Sequence, residues 1–99
     1  MANITKLTKL VDAQAMARQH PDNFRVPSPH ELAMIVPGTY VKVCRAQERF
    51  WIQIRGGNGK YLFGLVDFPL VDERNDDVPG GLVRIEHRHI YEILQVPPS

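Results

Sequence analysis

The feature that most constrains this chain is an alternation of apolar and polar side chains with a period of two, which extends over residues 39–65. β-Branched and aromatic residues are frequent in this stretch, as they are in strands. A tight turn at Ala46-Gln47 would join two strands, residues 39–45 and 48–55, into an antiparallel hairpin. Because successive side chains of a strand point to opposite faces, the pattern predicts one buried face and one outward face.

The position of this turn also predicts which residues of the two strands lie opposite each other. The predicted pairs are Val43–Phe50 and Val41–Ile52 on the apolar face, and Lys42–Trp51 and Tyr40–Gln53 on the other face. Every pair on the first face is apolar, and every pair on the second includes a polar side chain. The register therefore agrees with the alternation.

A second hairpin is predicted around Asn58-Gly59, because both central positions of the favoured two-residue turn need positive φ. Its predicted pairs are Ile54–Phe63 and Ile52–Leu65 on the apolar face, with Trp51–Val66 and Gln53–Gly64 on the other. In this register the missing side chain of Gly64 would leave room for the indole ring of Trp51.

Two short helices are predicted before these strands. Residues 7–19 contain apolar residues at approximately helical spacing together with several alanines, and the segment ends before Pro21. Further on, Ser28-Pro29-His30-Glu31 has the pattern of a capping box, with proline in the first turn. It predicts a second helix of one or two turns, which Pro37-Gly38 closes.

The remaining sequence completes a small fold. Residues 69–81 are rich in Asp, Pro and Gly and predict a long exposed loop, followed by strands at residues 82–86 and 90–96. We expect an α+β, mainly β fold: a five-stranded antiparallel meander that forms a small, SH3-like, partly open barrel with one or two short N-terminal helices. The predicted organisation is one domain over residues 1–99, with a helical segment at 1–23, a β domain at 24–96 and a tail at 97–99.

Composition limits the class of protein. Of the 99 residues, 43% are hydrophobic and 23% are charged, as in ordinary globular domains, and a formal charge of +1 gives no general attraction to nucleic acid or membranes. The single cysteine, Cys44, excludes an internal disulfide and is typical of a reducing compartment. No signal peptide or membrane-spanning run is recognisable, so we expect a cytoplasmic protein that does not enter a membrane.

Several short motifs together resemble a known family. In chain order they are Pro37-Gly38, Val41-Lys42-Val43, Glu48-Arg49-Phe50-Trp51-Ile52, Gly64-Leu65-Val66, Gly81 and His89-Ile90. This order is similar to an uncharacterised bacterial family of small β domains with a Glu-Arg-Phe-Trp-Ile/Val signature, and the resemblance covers roughly two thirds of the chain, starting near Phe24. The resemblance implies the fold but no activity and no catalytic residues, and short members of the family look like products of phages or other mobile elements.

The polar face of the first hairpin is the best candidate binding surface. It combines aromatic and basic side chains, namely Tyr40, Lys42, Trp51, Gln53 and Arg55. Such a mixture can stack bases and neutralise phosphates. Alternatively, Trp51 packs beneath the first helix, and the stem of Lys42 lies over its ring as a cation–π pair.

Histidines and the cysteine offer weaker candidate sites. His87 and His89 would point the same way on a strand and form a polar cluster that could supply two metal ligands, although no third ligand is evident. In the alternative interpretation, His89 makes a hydrogen bond at the start of the last strand and His87 is solvated. Cys44 could act as a nucleophile with one of these histidines, or it could be a small half-buried residue of the first hairpin.

These observations predict a non-enzymatic binding or interaction module without a cofactor. The predicted partner is a protein, and an unpaired strand edge would also allow a homodimer. The alternatives are a nucleic-acid-binding barrel that uses Tyr40, Lys42 and Trp51, a small-ligand binder, and a Cys/His enzyme.

Overall fold

A computed structural model describes residues 3–95 of the chain. Its strands are β1 (Thr5–Lys6), β2 (Tyr40–Arg45), β3 (Glu48–Gly57), β4 (Leu62–Val66), β5 (Leu82–Ile85) and β6 (Glu92–Leu94). Its helices are α1 (Ala13–Gln19) and α2 (Pro29–Ala33), with 3-10 turns at Glu73–Asn75 and His87–His89. The predicted tail at residues 97–99 and the end of the predicted last strand, Val96, lie outside the described residues.

The strands form a six-stranded mixed sheet with the spatial order β1-β5-β4-β3-β2-β6. The prediction of a mainly β, α+β fold with short helices agrees with this arrangement, but the predicted five-stranded antiparallel SH3-like barrel is wrong. The extra strand, β1, pairs with β5 in parallel, and the sheet is open. A single bridge between Leu10 and Arg45 also connects the N-terminal segment to the end of β2.

The N-terminal segment is extended where a helix was predicted. The backbone N–H of Leu7 donates to the carbonyl of Arg84, and the N–H of Val11 donates to the carbonyl of Cys44. Hydrogen bonds to strands β5 and β2 thus replace those of a helix. In this extended conformation the side chain of Leu7 is buried in the core. Helix α1 begins only after Asp12, whose side chain accepts a hydrogen bond from the N–H of Ala15.

Helix α2 begins as its sequence predicts. The side chain of Ser28 accepts from the N–H of Glu31, and the side chain of Glu31 accepts in return from the N–H of Ser28. These hydrogen bonds lower the pKa of the Glu31 carboxyl. Leu32 is the residue of this helix that enters the core. The chain then turns at Gly38, which has a φ of 96°, a value that suits glycine.

The register predicted for the first hairpin is confirmed. Strands β2 and β3 pair Val41 with Ile52 and Lys42 with Trp51. The predicted apolar face is buried: Val41, Val43, Ile52 and Ile54 are at most 1% exposed, and Phe50 is 4% exposed. Ala46 and Gln47 both have positive φ, as a two-residue hairpin turn with the right-handed twist of the strands requires.

The register predicted for the second hairpin is wrong by one residue. Strand β3 has an irregularity between Ile54 and Gly56, so that Ile54 lies opposite Gly64 and not opposite Phe63. Asn58 accepts hydrogen bonds through its side chain from the N–H groups of Lys60 and Tyr61, so the chain turns without positive φ at Asn58 or Gly59.

The shift moves the residues of β4 to faces opposite to the predicted ones. Leu62 and Val66 are buried in the core, and Val66 lies opposite Ile52. Phe63 and Leu65 lie on the outward face and are half-buried. Trp51 therefore has no Val66 beside it, because a slip of one residue exchanges the two faces of a strand.

Gly64 permits a close approach of two backbones. A Cβ at this position would overlap the carbonyl oxygen of Gln53 and lie 2.8 Å from its carbonyl carbon. The glycine thus brings β4 against β3 and does not make room for the indole ring of Trp51, as the predicted register implied.

The predicted exposed loop, residues 69–81, is only partly exposed. It contains the 3-10 turn at Glu73–Asn75, and the side chains of Asn75 and Val78 are buried.

None of the helices in residues 3–95 is both long enough and apolar enough to span a bilayer.

We expect the substitution Gly64→Ala to lower the free energy of unfolding by about 1–3 kcal/mol, because the new methyl group overlaps backbone that has no rotamer to change. Urea unfolding followed by tryptophan fluorescence measures this loss. Gly59→Ala is the matched control, since a Cβ on Gly59 meets nothing within 4 Å and its φ is not positive. A loss at Gly59 equal to that at Gly64 would contradict the proposed role of the close approach.

Candidate functional site

The face of the sheet opposite the core, called the outer face here, carries most of the predicted binding residues. Strand pairing aligns one row of side chains across five strands. The row consists of Leu94, Tyr40, Gln53, Leu65 and Leu82. Four of these residues are half-buried, and Leu94 is 51% exposed. The row shares its face with Lys42 and Trp51, so the structure brings together four of the five predicted residues.

Lys42 lies between an aromatic ring and a carboxylate. Its Nζ is 4.8 Å from the ring centroid of Trp51 and 2.9 Å from Oε2 of Glu92 on the neighbouring strand β6. The cation–π pair predicted as an alternative is thus present. Because Glu92 supplies a negative charge beside the ammonium group, the centre of the outer face is close to neutral.

Arg55 is separated from the other four predicted residues by the irregularity of β3. It lies between Ile54 and Gly56, outside the regular pairing, and its side chain is exposed. The sequence alternation assigned Arg55 to the face of Gln53, but a bulge interrupts that alternation. The structure therefore does not place Arg55 in the row.

The first helix does not cover Trp51. Helix α1 packs against the 3-10 turn at His87–His89. One end of the outer face is covered instead by the segment after the helix: the ring of Phe24 lies 6.2 Å from that of Tyr91, and the guanidinium of Arg49 lies 5.2 Å from Tyr91. Burial in this cluster raises the pKa of Tyr91.

The predicted polar cluster of His87 and His89 has a different geometry. Both residues belong to a 3-10 turn and not to a strand, so they do not point the same way. The imidazole of His89 is buried, and its Nδ1 accepts a hydrogen bond from the N–H of Glu86 at 3.1 Å. Within residues 3–95, no group of three or more His, Cys, Asp or Glu side chains is arranged to hold a metal ion.

Cys44 is a buried residue of β2. Among the described residues its sulfur makes no hydrogen bond with a histidine, so the structure does not assemble the predicted Cys/His pair.

A buried arginine organises a polar network that the sequence interpretation missed. Arg45 is 3% exposed, and its guanidinium donates two hydrogen bonds to the carboxylate of Asp77, at 2.9 and 3.0 Å. The same group donates to Oδ1 of Asn75 and to the carbonyl oxygens of Thr8 and Arg74. A buried cation with a bidentate partner and further acceptors is well satisfied.

Asn75 and Glu48 extend this network to the first hairpin turn. The amide of Asn75 donates to the carbonyl of Arg45 and to Oε1 of Glu48, and Glu48 also accepts from the N–H groups of Val71 and Asp72. These hydrogen bonds, with that from Val71 the strongest, lower the pKa of Glu48. We call Arg45, Glu48, Asn75 and Asp77 the polar clamp.

Two further ionisable groups stabilise the clamped loop. The guanidinium of Arg74 donates to both carboxylate oxygens of Asp72 and to the carbonyl of Ala46 in the hairpin turn. It thereby lowers the pKa of Asp72 to about 2. The hydrogen bonds from Arg45 likewise lower the pKa of Asp77. Asp72 and Asp77 of this loop are thus partners of arginines of the chain itself.

An apolar cleft of about 710 Å³ lies between helix α2 and the β3–β4 hairpin. Leu32, Ile35, Ile54 and Leu62 contribute apolar side chains to its wall, and His87 is its ionisable side chain. Its size is within the range of small-molecule sites, but only a few polar groups converge on it. The sequence interpretation missed the cleft because its walls come from segments that are distant in sequence.

Comparisons with known proteins give no relative. No protein-family model matches the chain, and neither the curated proteins nor the solved structures include a significant match. The resemblance noted at residues 48–52 therefore stays a prediction. In the structure, Glu48 of this motif belongs to the polar clamp, and Phe50 and Ile52 belong to the core. Arg49 and Trp51 are the residues of the motif that are left for other contacts.

We expect Asn75→Ala to lower the free energy of unfolding by about 1–3 kcal/mol, because it removes partners from the buried Arg45 and from Glu48. Urea unfolding measures the loss, and limited proteolysis should show earlier cleavage within residues 69–81. The control is Asn23→Ala, an exposed site whose side chain makes no hydrogen bond within the described residues. Unchanged stability and cleavage in Asn75→Ala would show that the clamp does not hold the loop.

The buried imidazole of His89 should make stability depend on pH. Burial, and to a lesser degree the charge of Arg88, lowers its pKa below the usual histidine value of about 6.5. As the pH falls from about 7.5 to about 5.5, the unfolded chain binds the proton first, so stability decreases by at most about 1.4 kcal/mol per pH unit. The carboxylates with lowered pKa lose their contribution only at more acidic pH.

Chemical denaturation of the wild type and of His89→Asn across this range provides the measurement. The side-chain oxygen of asparagine can accept the hydrogen bond from Glu86 but does not titrate. The variant should therefore lose most of the slope between these pH values. An identical slope in both proteins would assign the effect to another group.

Proposed function

We propose that this chain is a small non-enzymatic module that binds a protein partner through the outer face of its sheet. The observation that carries the proposal is the position of Lys42, whose charge is balanced by Glu92 beside the ring of Trp51. This pairing leaves an aromatic and aliphatic surface with little net charge at its centre. Surfaces of that kind are typical of the centre of protein interfaces.

The residues of the row supply suitable contacts for a protein. Tyrosine and tryptophan bury a large area for few rotatable bonds and are frequent among the residues that contribute most to binding. Tyr40 and Trp51 are half-buried, so the scaffold already restricts their rotamers, and Leu94 extends the apolar surface to the edge of the sheet. A partner can therefore gain contact area at a small entropic cost.

The same geometry makes nucleic acid a weaker candidate for this face. Binding of a phosphate backbone depends on cations that are free to replace counterions. Lys42 is engaged by Glu92, Arg49 lies over Tyr91, and Arg55 is outside the row. Stacking surfaces are present, but the cations around Tyr40 and Trp51 are occupied or displaced.

The proposal also covers the cellular location, the family and the pairing of two copies. The single cysteine supports a reducing, cytoplasmic location. The Glu-Arg-Phe-Trp-Ile motif supports membership of the uncharacterised bacterial family of small β domains, whose short members look like products of mobile elements. Strand β6 lies at one edge of the sheet, which supports pairing with a second copy as one form of the interaction.

The substitution Leu94→Arg tests the outer face. It places a charge at an exposed edge position of the row, where folding should tolerate it, and should weaken partner binding at least about tenfold. The tagged wild-type protein and its variant would be used to capture partners from the native host, with quantitative mass spectrometry as the readout. Sedimentation of the purified proteins would show whether the partner is a second copy.

Val71→Arg is the matched control, because Val71 is 87% exposed and lies in the clamped loop, away from the row. The proposal requires that partners be lost with Leu94→Arg and retained with Val71→Arg. Equal capture by both variants would refute it. Binding of a labelled single-stranded oligonucleotide that Leu94→Arg abolishes would assign the face to nucleic acid instead.

A further inference from the structure

A second cleft lies near the β1 edge of the sheet, which is the edge opposite β6. It is situated between strands β1 and β5 and the turn that joins β3 to β4. Its volume is about 420 Å³. The side chains that carry its chemistry are Lys6, Lys60, Tyr61, Arg84, Glu86 and His89. We call it the basic cleft. Arg84 lies on β5, two residues beyond Leu82 of the row, whereas Lys42 and Trp51 lie on β2 and β3, so the cleft adjoins one end of the row and is distinct from the centre of the outer face.

The cations of the basic cleft have no counter-charge within residues 3–95. Lys6, Lys60 and Arg84 take part in none of the ion pairs of this part of the chain, which involve other lysines and arginines. The carboxylate that lines the cleft, Glu86, is paired at 3.1 Å with Arg88. The cleft therefore has a positive charge that the described residues do not neutralise.

Two of these cations are also held close together. Lys6 and Arg84 are direct partners in the parallel pairing of β1 with β5, an arrangement in which like charges repel. Arg84 is half-buried, and its guanidinium lies 4.8 Å from the ring centroid of Tyr61, which restricts its position. An anion bound between the cations would offset this repulsion.

His89 adds a buried donor to the cleft. Its side chain is 7% exposed and its Nδ1 already accepts from Glu86, so the neutral ring carries its proton on Nε2. Within the described residues, Nε2 has no hydrogen-bond partner. Every side-chain nitrogen that is fully shielded from solvent in this part of the chain does have one. Solvent must therefore reach Nε2, and the basic cleft is the space that His89 lines.

We propose that the basic cleft is a binding site for the phosphate group of a small phosphorylated molecule. A phosphate monoester carries close to two negative charges and several acceptor oxygens, which match two ammonium groups, a guanidinium and an imidazole N–H. The ring of Tyr61 provides an apolar wall for the rest of the ligand. The volume falls within the range of small-molecule sites and is too small to enclose a protein segment of any length.

Titration of the full-length 15N-labelled protein with adenosine monophosphate, inorganic phosphate and adenosine tests the proposal. Adenosine monophosphate and phosphate should shift the amide signals of the cleft, including those of Lys60 and Arg84, whereas adenosine should not. Tighter binding of adenosine monophosphate than of phosphate would show that the Tyr61 wall contributes. Equal binding of the two would identify the free anion as the ligand, with the same phosphate site.

Arg84→Gln should weaken adenosine monophosphate at least about tenfold, and Lys60→Gln should weaken it severalfold. Lys60 is exposed in a turn, so its variant keeps the test valid even if Arg84→Gln unfolds. Arg25→Gln is the matched control, since it removes an exposed arginine away from the cleft. It should leave the affinity unchanged.

Three outcomes would overturn the proposal. One is the absence of shifts with either phosphate compound at low ionic strength up to roughly 10 mM. Another is an equal loss of affinity in Arg25→Gln and Lys60→Gln, which would indicate a general attraction of anions. The third is binding of a single-stranded oligonucleotide that spreads over the outer face while adenosine monophosphate fails to bind. The first two results leave the protein interaction proposed for the outer face untouched, whereas the third would also assign the outer face to nucleic acid.

Discussion

The guanidinium of Arg45 lies buried at the end of β2, where two segments that are far apart in sequence provide the oxygens around it. Thr8 belongs to the N-terminal segment, and Asn75 and Asp77 belong to the loop between β4 and β5. A buried guanidinium that lost these acceptors would be strongly unfavourable. The arginine therefore fixes the segment around Thr8 and the loop relative to the first hairpin.

Two acidic residues of the loop have arginine partners within the chain. Asp77 is committed to Arg45 and Asp72 to Arg74, while Glu48 accepts from backbone N–H groups. Charges that are paired inside the fold contribute to stability and not to recognition. Two surfaces remain for binding. At Lys42 the charge is balanced by Glu92 beside an aromatic ring, and at Arg84 the charge has no counter-charge within residues 3–95.

Sequence patterns predicted the local features well. The alternation gave the correct pairing of β2 with β3, and the capping box at Ser28 gave the correct start of α2. Four of the five residues predicted for the binding face do share the outer face. The errors in strand pairing began at Arg55, because an irregularity of one residue in β3 reversed the faces of β4. A bulge has no dependable signature in the sequence, since its position depends on how the backbones of β3 and β4 pack.

The sequence by itself determined the first hairpin, the composition of its two faces and the cap of α2, because turn geometry, side-chain alternation and capping act over a few residues. Only the tertiary structure decided that residues 5–6 form a parallel strand, that the loop closes on Arg45 and that Lys6 meets Arg84 beside His89. Each of these depends on hydrogen bonds or charges between distant segments. Their free energy is gained only when the whole chain is folded, so no local pattern records them.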